Sequence, residues 1–247
     1  MATFHPNERF AFVGKTRSGK TSLGMVVAGT LAMALINTTW QVWVLTTKGD
    51  PSDLVGWRKW GARNIASKKD QATTIVPNFF YFRIEPKDAQ GNDVSVAGQC
   101  QAIIDAAYRR GQVVVVIDEY VSVVESARNA GKALLDVFQR GGGLTVGLIG
   151  MTQEPVYIPR QLISMATHAF IFTLTHRYDI EWAQKLYKTY VPPATRGDPH
   201  GFYYKWVDGP SNRWQYFAHQ KAWYDDLRIA MPQPPPLPDT ALKTEIW

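Results

Sequence analysis

The chain has 247 residues and a mass of 27.8 kDa, which at roughly 100–200 residues per domain means one large domain or two small ones. Hydrophobic residues make up 45%, which excludes an intrinsically disordered chain, and the single cysteine, Cys100, excludes an intramolecular disulfide framework and fits a reducing compartment. Lys and Arg total 27 against 21 Asp and Glu, a formal net charge of +6 that tilts toward acidic partners, nucleic acid first.

In chain order, Arg9–Val13 is a short apolar run closed by a glycine-bearing turn, and Gly19–Ile36 reads as a buried helix. Gln41–Leu45 is a second strand, Trp57–Asp70 a basic stretch carrying tryptophans, and Phe79–Ile84 a third strand. Ser95–Arg110 repeats apolar residues at helical spacing. Val113–Ile117 is an unbroken β-branched run, the pattern of a strand buried on both faces. Ala127–Arg140 is an amphipathic helix before Gly141-Gly142-Gly143; Leu144–Gly150 and Ala169–Leu174 are buried strands, with a helix over Asp179–Tyr190. Strands alternating with helices, and apolar throughout, predict an α/β fold with a mainly parallel central sheet flanked by helices on both faces. Gly201–Val207 and Arg213–Phe217 flank Asp208-Gly209, the signature of a C-terminal β-hairpin. One domain over residues 1–224 is therefore expected. Residues 225–247, with five prolines in the seven positions Pro232–Pro238, form an extended tail. The longest apolar stretch, Gly24–Ile36, has 13 residues, short of the ~18–20 that a membrane span needs. Met1–Val13 has no signal-peptide core, so the chain reads as soluble and intracellular.

Gly14-Lys15-Thr16-Arg17-Ser18-Gly19-Lys20-Thr21 fits G-x-x-x-x-G-K-[ST] between an apolar strand and an apolar helix. The glycines let the backbone curl so that N–H groups face phosphate oxygens, and the helix dipole favours the anion. Lys20 is placed to reach the β- and γ-phosphates of ATP, and Thr21 offers a hydroxyl to Mg²⁺. The strand Val113–Ile117 delivers Asp118-Glu119 at its C-terminal end, where open α/β sheets bind ligands. Asp118 is the expected Mg²⁺ partner, and Glu119 the general base that polarises an attacking water. The competing reading makes them ordinary surface acids at a strand end. The strand over Leu144–Met151 ends in Thr152-Gln153-Glu154-Pro155; Gln153 is the candidate γ-phosphate sensor, with Thr152 second.

Arg140 reads either as a helix C-terminal cation or as an arginine finger reaching a neighbouring subunit's nucleotide. Arg177, after the strand Ala169–Leu174, is the rival finger. For DNA, the stretch Trp57-Arg58-Lys59-Trp60 with Arg63, Lys68 and Lys69 offers phosphate-binding cations and tryptophans that could stack on bases. Its alternative is a surface helix with the tryptophans turned inward.

The order of GKTRSGKT, VWVLTTKGD, VVVVIDE, RGGGLTVGLIGMTQEP and GFYYKWVDGPSNRWQYF resembles the FtsK–HerA superfamily of P-loop ATPases, over Arg9 to about Phe217. Arg140 to Pro155 is the most diagnostic part, similar to the family's basic residue, glycine-rich turn, apolar strand and T/S-Q-x-P sequence. Small size makes the chain similar to the compact genome-packaging ATPases of double-stranded DNA viruses. The resemblance implies a RecA-like fold and Mg²⁺-dependent ATP hydrolysis coupled to translocation of double-stranded DNA. It further implies a homo-oligomeric ring, hexamer or pentamer. Lys20 and Thr21 match the Walker A pair, Asp118 and Glu119 the Walker B pair, Gln153 the sensor and Arg140 the basic position. A packaging role implies partners at the capsid vertex or portal, and work in the host cytoplasm or on the virion. A related motor for phage assembly, export or conjugation, or a slow ATP-dependent switch or scaffold, are the other functions the same motifs allow.

Overall fold

The computed structural model describes residues 4–47, 56–58, 61–64, 76–88, 90–124, 130–140, 145–157, 164–186, 190–206 and 213–218. Nine strands, β1 (Arg9–Val13), β2 (Gln41–Thr46), β3 (Arg63–Asn64), β4 (Phe79–Arg83), β5 (Val113–Ile117), β6 (Val146–Thr152), β7 (His168–Ile171), β8 (Phe202–Trp206) and β9 (Gln215–Phe217), form one sheet. Its order is β3-β4-β2-β5-β6-β1-β7-β8-β9. The first seven positions are parallel, and β8 and β9 add antiparallel at the β7 side. The C-terminal hairpin is thus an extension of the main sheet; its turn lies outside the described residues. Phe202 stacks on Phe217, with ring centroids 5.5 Å apart.

Four helices of eight residues or more cover the sheet among the described residues: α1 (Lys20–Ala34), α2 (Val96–Arg110), α3 (Lys132–Arg140) and α4 (Arg177–Leu186). The side chains of β5 show why its sequence is apolar at every position. Val114 and Val116 face one core with Leu23, Val27 and Leu31 of α1 and Phe10 and Phe12 of β1. Val113, Val115 and Ile117 face a second core with Cys100 and Ile104 of α2 and Leu134, Val137 and Phe138 of α3. Strand side chains alternate between faces, so a strand covered on both sides has no polar position to spare.

Several predicted boundaries shift. The first helix ends at Ala34, not Ile36, and β7 starts at His168 and ends at Ile171. Past Ile171 the Phe172 N–H still donates to the Val13 carbonyl at 2.8 Å, but the Tyr190 hydroxyl, not a strand, donates to the Phe172 carbonyl at 2.8 Å and accepts from the Leu174 N–H at 3.0 Å. His168, fully buried at the start of β7, hydrogen-bonds Glu8 through Nε2 and Tyr204 through Nδ1, both at 3.0 Å, and stacks on Phe10. Burial would raise the Glu8 carboxyl, but the His168 hydrogen bond and a backbone N–H outweigh it and hold it below its ordinary value.

The basic stretch after β2 departs from a surface reading at its one described tryptophan. Trp57 is 0% exposed and meets Phe79 edge-to-face at 6.3 Å, so it belongs to the α1 core and offers no base-stacking surface. Arg58 beside it is exposed. Lys59, Trp60, Lys68 and Lys69 lie outside the described residues, as do Gly141–Gly143 and the tail at 225–247. No helix among the described residues is long and apolar enough to cross a membrane.

Candidate functional site

The glycine-bearing loop between β1 and α1 is pinned on both flanks by strands far away in sequence. The Gly14 N–H donates to the Thr152 carbonyl at 3.1 Å, at the end of β6, and the Lys15 N–H to the Thr173 carbonyl at 2.9 Å, just past β7. Gly14 has no room for a side chain: a Cβ there would sit 2.6 Å from Phe172 Cβ and 2.8 Å from Ser18 Oγ. Gly19 takes φ 97° to turn the chain into α1, a left-handed conformation that suits glycine.

The start of α1 is left open to an anion. No side chain caps it and its first turn carries no acidic residue, so its leading N–H groups and the positive end of its dipole stay unspent. Ser18 Oγ is buried without a hydrogen-bond partner. Lys20 is 4% exposed, and its Nζ curls back to donate to the Lys15 carbonyl at 3.3 Å. A cleft of about 480 Å³ opens here, lined by the loop, Ser22, Met25, Gly56 and Gln153. Backbone donors, an unneutralised helix start, a buried ammonium and an orphaned hydroxyl form a receptor for a polyphosphate.

The second wall comes from the C-terminal ends of β5, β6 and β2. Asp118 is 2% exposed. Its Oδ1 accepts from Thr21 Oγ1 at 3.4 Å, and its Oδ2 from Thr46 Oγ1 at 3.5 Å. Both are long for O–H···O bonds, so the oxygens stand grouped without closing on one another. Thr21 and Asp118 supply the all-oxygen donor set that a hard cation such as Mg²⁺ takes together with substrate phosphates, and the residues present fit that ion. When bound, it would neutralise charge on the phosphates.

Glu119 stands next to this pair, half-buried. Burial pushes its carboxyl above the ordinary value, against the pull of the Lys20 charge, the Thr152 hydroxyl and the Gln153 N–H. Its Oε2 is buried without a hydrogen-bond partner, while Oε1 accepts from the Gln153 N–H at 3.4 Å. A carboxylate with a raised affinity for protons and one free oxygen is chemically suited to take a proton from water. Gln153, at the tip of β6, joins the site through its side chain too: Thr16 Oγ1 donates to its Oε1. Lys20, Thr21 and Gln153 line the cleft, and Asp118 and Glu119 stand behind it in hydrogen-bond contact with Thr21 and Gln153, so five residues spread over 134 positions of sequence converge here.

Arg177 does not join that cluster within this chain. Arg177 opens α4, its side chain is 86% exposed, and it pairs with Glu181 at 2.7 Å, one helical turn on. Arg140 is the last residue of α3; its side chain lies outside the described atoms. Two contributors have no signal in the motifs. Thr46 closes an apolar strand with a buried hydroxyl aimed at Asp118, and only its place as the polar tip of a strand beside β5 could have marked it. Tyr190 lies in no motif at all.

No protein-family model and no curated protein matches the sequence. Solved structures do match the fold. The DNA-packaging ATPase B204 from Sulfolobus turreted icosahedral virus is similar at a TM-score of 0.59 and 17% identity, over 88% of this chain and 100% of that one. B204 from Sulfolobus turreted icosahedral virus 2, in complex with AMPPCP, gives 0.58 and 16% over 88% and 100%. EssC, ATPases 2 and 3, from Geobacillus thermodenitrificans gives 0.54 and 12% over 94% of this chain and 46% of that one. The chain thus shares with these proteins the RecA-like P-loop NTPase fold that the motif order implies.

Proposed function

We propose that the chain is an ATP-driven motor that moves double-stranded DNA into a preformed viral capsid. The observation that carries the reading is the convergence of Lys20, Thr21, Asp118, Glu119 and Gln153 on one phosphate-shaped cleft. Lys20 and the loop N–H groups hold the β- and γ-phosphates; Thr21 and Asp118 hold Mg²⁺; Glu119 takes the proton of the attacking water; Gln153 registers the γ-phosphate. A water-activating base makes this a hydrolase site, since a kinase would position an acceptor hydroxyl instead. The fold likeness to B204, which spans all of that protein, supports the packaging assignment.

Subunits form a homo-oligomeric ring around DNA, a hexamer or pentamer, which docks at the capsid vertex or portal in the host cytoplasm. The exposed guanidinium of Arg177 is available to a neighbouring subunit, and Arg140 is the second candidate. Arg58, with Lys59, Lys68 and Lys69, supplies phosphate contacts to DNA.

Steady-state ATP hydrolysis with and without double-stranded DNA tests this, alongside Glu119→Gln. Hydrolysis stimulated by DNA and lowered at least about a hundredfold in the variant, with nucleotide binding retained, is the expected result. Hydrolysis indifferent to DNA at concentrations where rings form would refute the translocase and leave a switch or scaffold.

A further inference from the structure

Thr16 occupies one of the four unspecified positions of the phosphate loop, yet its side chain reaches from the loop to the tip of β6. Its hydroxyl donates to Gln153 Oε1, from the loop to the tip of the neighbouring strand. We propose that Thr16 is a positioning residue: it holds the Gln153 amide by its carbonyl end, so that the NH₂ end faces the γ-phosphate. The proposal rests on the reading of Gln153 as the phosphate sensor.

A glutamine side chain ends in two groups of nearly equal size and opposite character, a carbonyl that accepts and an NH₂ that donates. Facing a phosphate oxygen, the NH₂ is attracted and the carbonyl repelled. Shape does not separate the two orientations, because a half-turn of the amide exchanges them. The Thr16 hydroxyl can donate to one end or accept from the other, so the orientation is set jointly: the anion draws the NH₂ end, and the hydroxyl then satisfies the carbonyl end by donating to it. With the Thr16 hydroxyl on Oε1, the carbonyl is occupied from the loop side. Nε2, which has no hydrogen bond among the described residues, is the end left for the ligand. Gln153 lines the same cleft as Lys20 and Thr21. The flipped amide would turn its NH₂ to the hydroxyl and its carbonyl to the anion.

The contact also ties the sensor to the base. The Gln153 backbone N–H donates to Glu119 Oε1 at 3.4 Å. Thr16, Gln153 and Glu119 therefore form a chain from the phosphate loop to the residue that handles water. A nucleotide with a γ-phosphate meets an oriented donor at the middle of that chain, and ADP does not reach it. Thr16 then acts on the difference between the two nucleotides, whereas the loop N–H groups and Lys20 hold what they share.

The test is equilibrium binding of ADP and of a β,γ-methylene ATP analogue, both with Mg²⁺, by competition against a fluorescent nucleotide. Thr16→Val keeps the β-branched shape and removes the donor; Thr16→Ser keeps the donor. Gln153→Ala and the double variant complete a cycle. The expected result is that Thr16→Val and Gln153→Ala each lower the analogue-to-ADP affinity ratio by roughly tenfold, as for one hydrogen bond to a charged group. The double variant should be no worse than Gln153→Ala, and Thr16→Ser should keep the wild-type ratio; the ratio cancels any change in the loop that both nucleotides feel. A lowered ratio in Gln153→Ala with a wild-type ratio in Thr16→Val overturns the role of Thr16 and leaves the sensor standing. Additive losses in the double variant overturn it as well. An unchanged ratio in Gln153→Ala refutes the sensor itself, and the proposal with it.

Discussion

Tyr190→Phe removes one oxygen atom and tests how the phosphate loop is held. The Tyr190 ring is 2% exposed and packs on Tyr203 with centroids 5.6 Å apart; phenylalanine preserves that packing. The hydroxyl, however, joins the Phe172 carbonyl and the Leu174 N–H at 2.8 and 3.0 Å. Both are backbone groups past the end of β7 that no strand takes, so no strand partner replaces the hydroxyl. A buried group left unpaired costs ~1–3 kcal/mol, and two at the lower half of that range cost about 3 kcal/mol. At about 2–4 °C per kcal/mol for a chain of this size, Tm falls by roughly 6–12 °C. The residue between those two groups is Thr173, whose carbonyl holds the Lys15 N–H at 2.9 Å. Loosening it also lowers nucleotide affinity, although Tyr190 touches no residue of the loop. Thermal unfolding without ligand, followed by nucleotide binding well below Tm, measures both effects. A Tm within 2 °C of wild type would refute the account of this segment.

Thr46→Val removes the hydroxyl on Asp118 Oδ2 and should raise the Mg²⁺ concentration needed for half-maximal hydrolysis by about tenfold, as loss of an outer partner does at metal sites; Thr46→Ser should keep it, and a wild-type Mg²⁺ titration for the valine variant would remove Thr46 from the site. Glu119 has a folded-state affinity for protons raised above the ordinary value of 4.5 by burial, so its protonated form suits the fold and its charge is a cost once pH exceeds the folded value. Glu119→Gln should therefore raise Tm at pH 7 while hydrolysis is lost, and the gain should fade as pH falls from the folded value toward 4.5 and be absent below it; a Tm lowered at pH 7 would contradict this. For the same reason the acidic limb of the wild-type pH–rate profile should fall above 4.5, and a limb below that value would argue that another group is the base.

What the sequence showed and what it hid divide along a physical line. The loop Gly14–Thr21 was legible because its chemistry is backbone chemistry: glycine at Gly14 and Gly19 is dictated by contacts and angles that no other residue meets. Val113–Ile117 was legible because burial on both faces leaves a run without polar interruption. The convergence of Asp118 and Glu119 with the loop followed from the parallel topology, which puts the C-terminal ends of the strands along one edge. Thr46 and Tyr190 were hidden because each acts through one partner that is distant in sequence: Asp118 lies 72 positions from Thr46, and Phe172 lies 18 from Tyr190. Trp57 was ambiguous for a related reason. Its neighbours Arg58 and Lys59 make the stretch look like a basic surface, while its burial is decided by Phe79 across the core.

The strand order explains why so many distant residues bear on eight of them. β1 is the first strand of the chain but lies inside the sheet, between β6 and β7. The chain leaves β1 toward β2 on one side, three places away, and crosses back past β1 only between β6 and β7. Its loop therefore sits at the reversal of strand order, where the ends of adjacent strands leave a crevice. Both flanks of that crevice are made by late segments: Thr152 holds Gly14, and Thr173 holds Lys15. The motif at residues 14–21 is written early and locally, but its geometry waits for pairings with segments more than 130 residues downstream. Such long-range closure is slow and cooperative. A formed phosphate site is therefore a report that the sheet is complete, and bound nucleotide stabilises the whole sheet, not the loop alone. The same wiring joins the site to the outer face: Gln153 follows β6, and Lys15 is hydrogen-bonded to the segment after β7 that leads into α4 and the exposed Arg177.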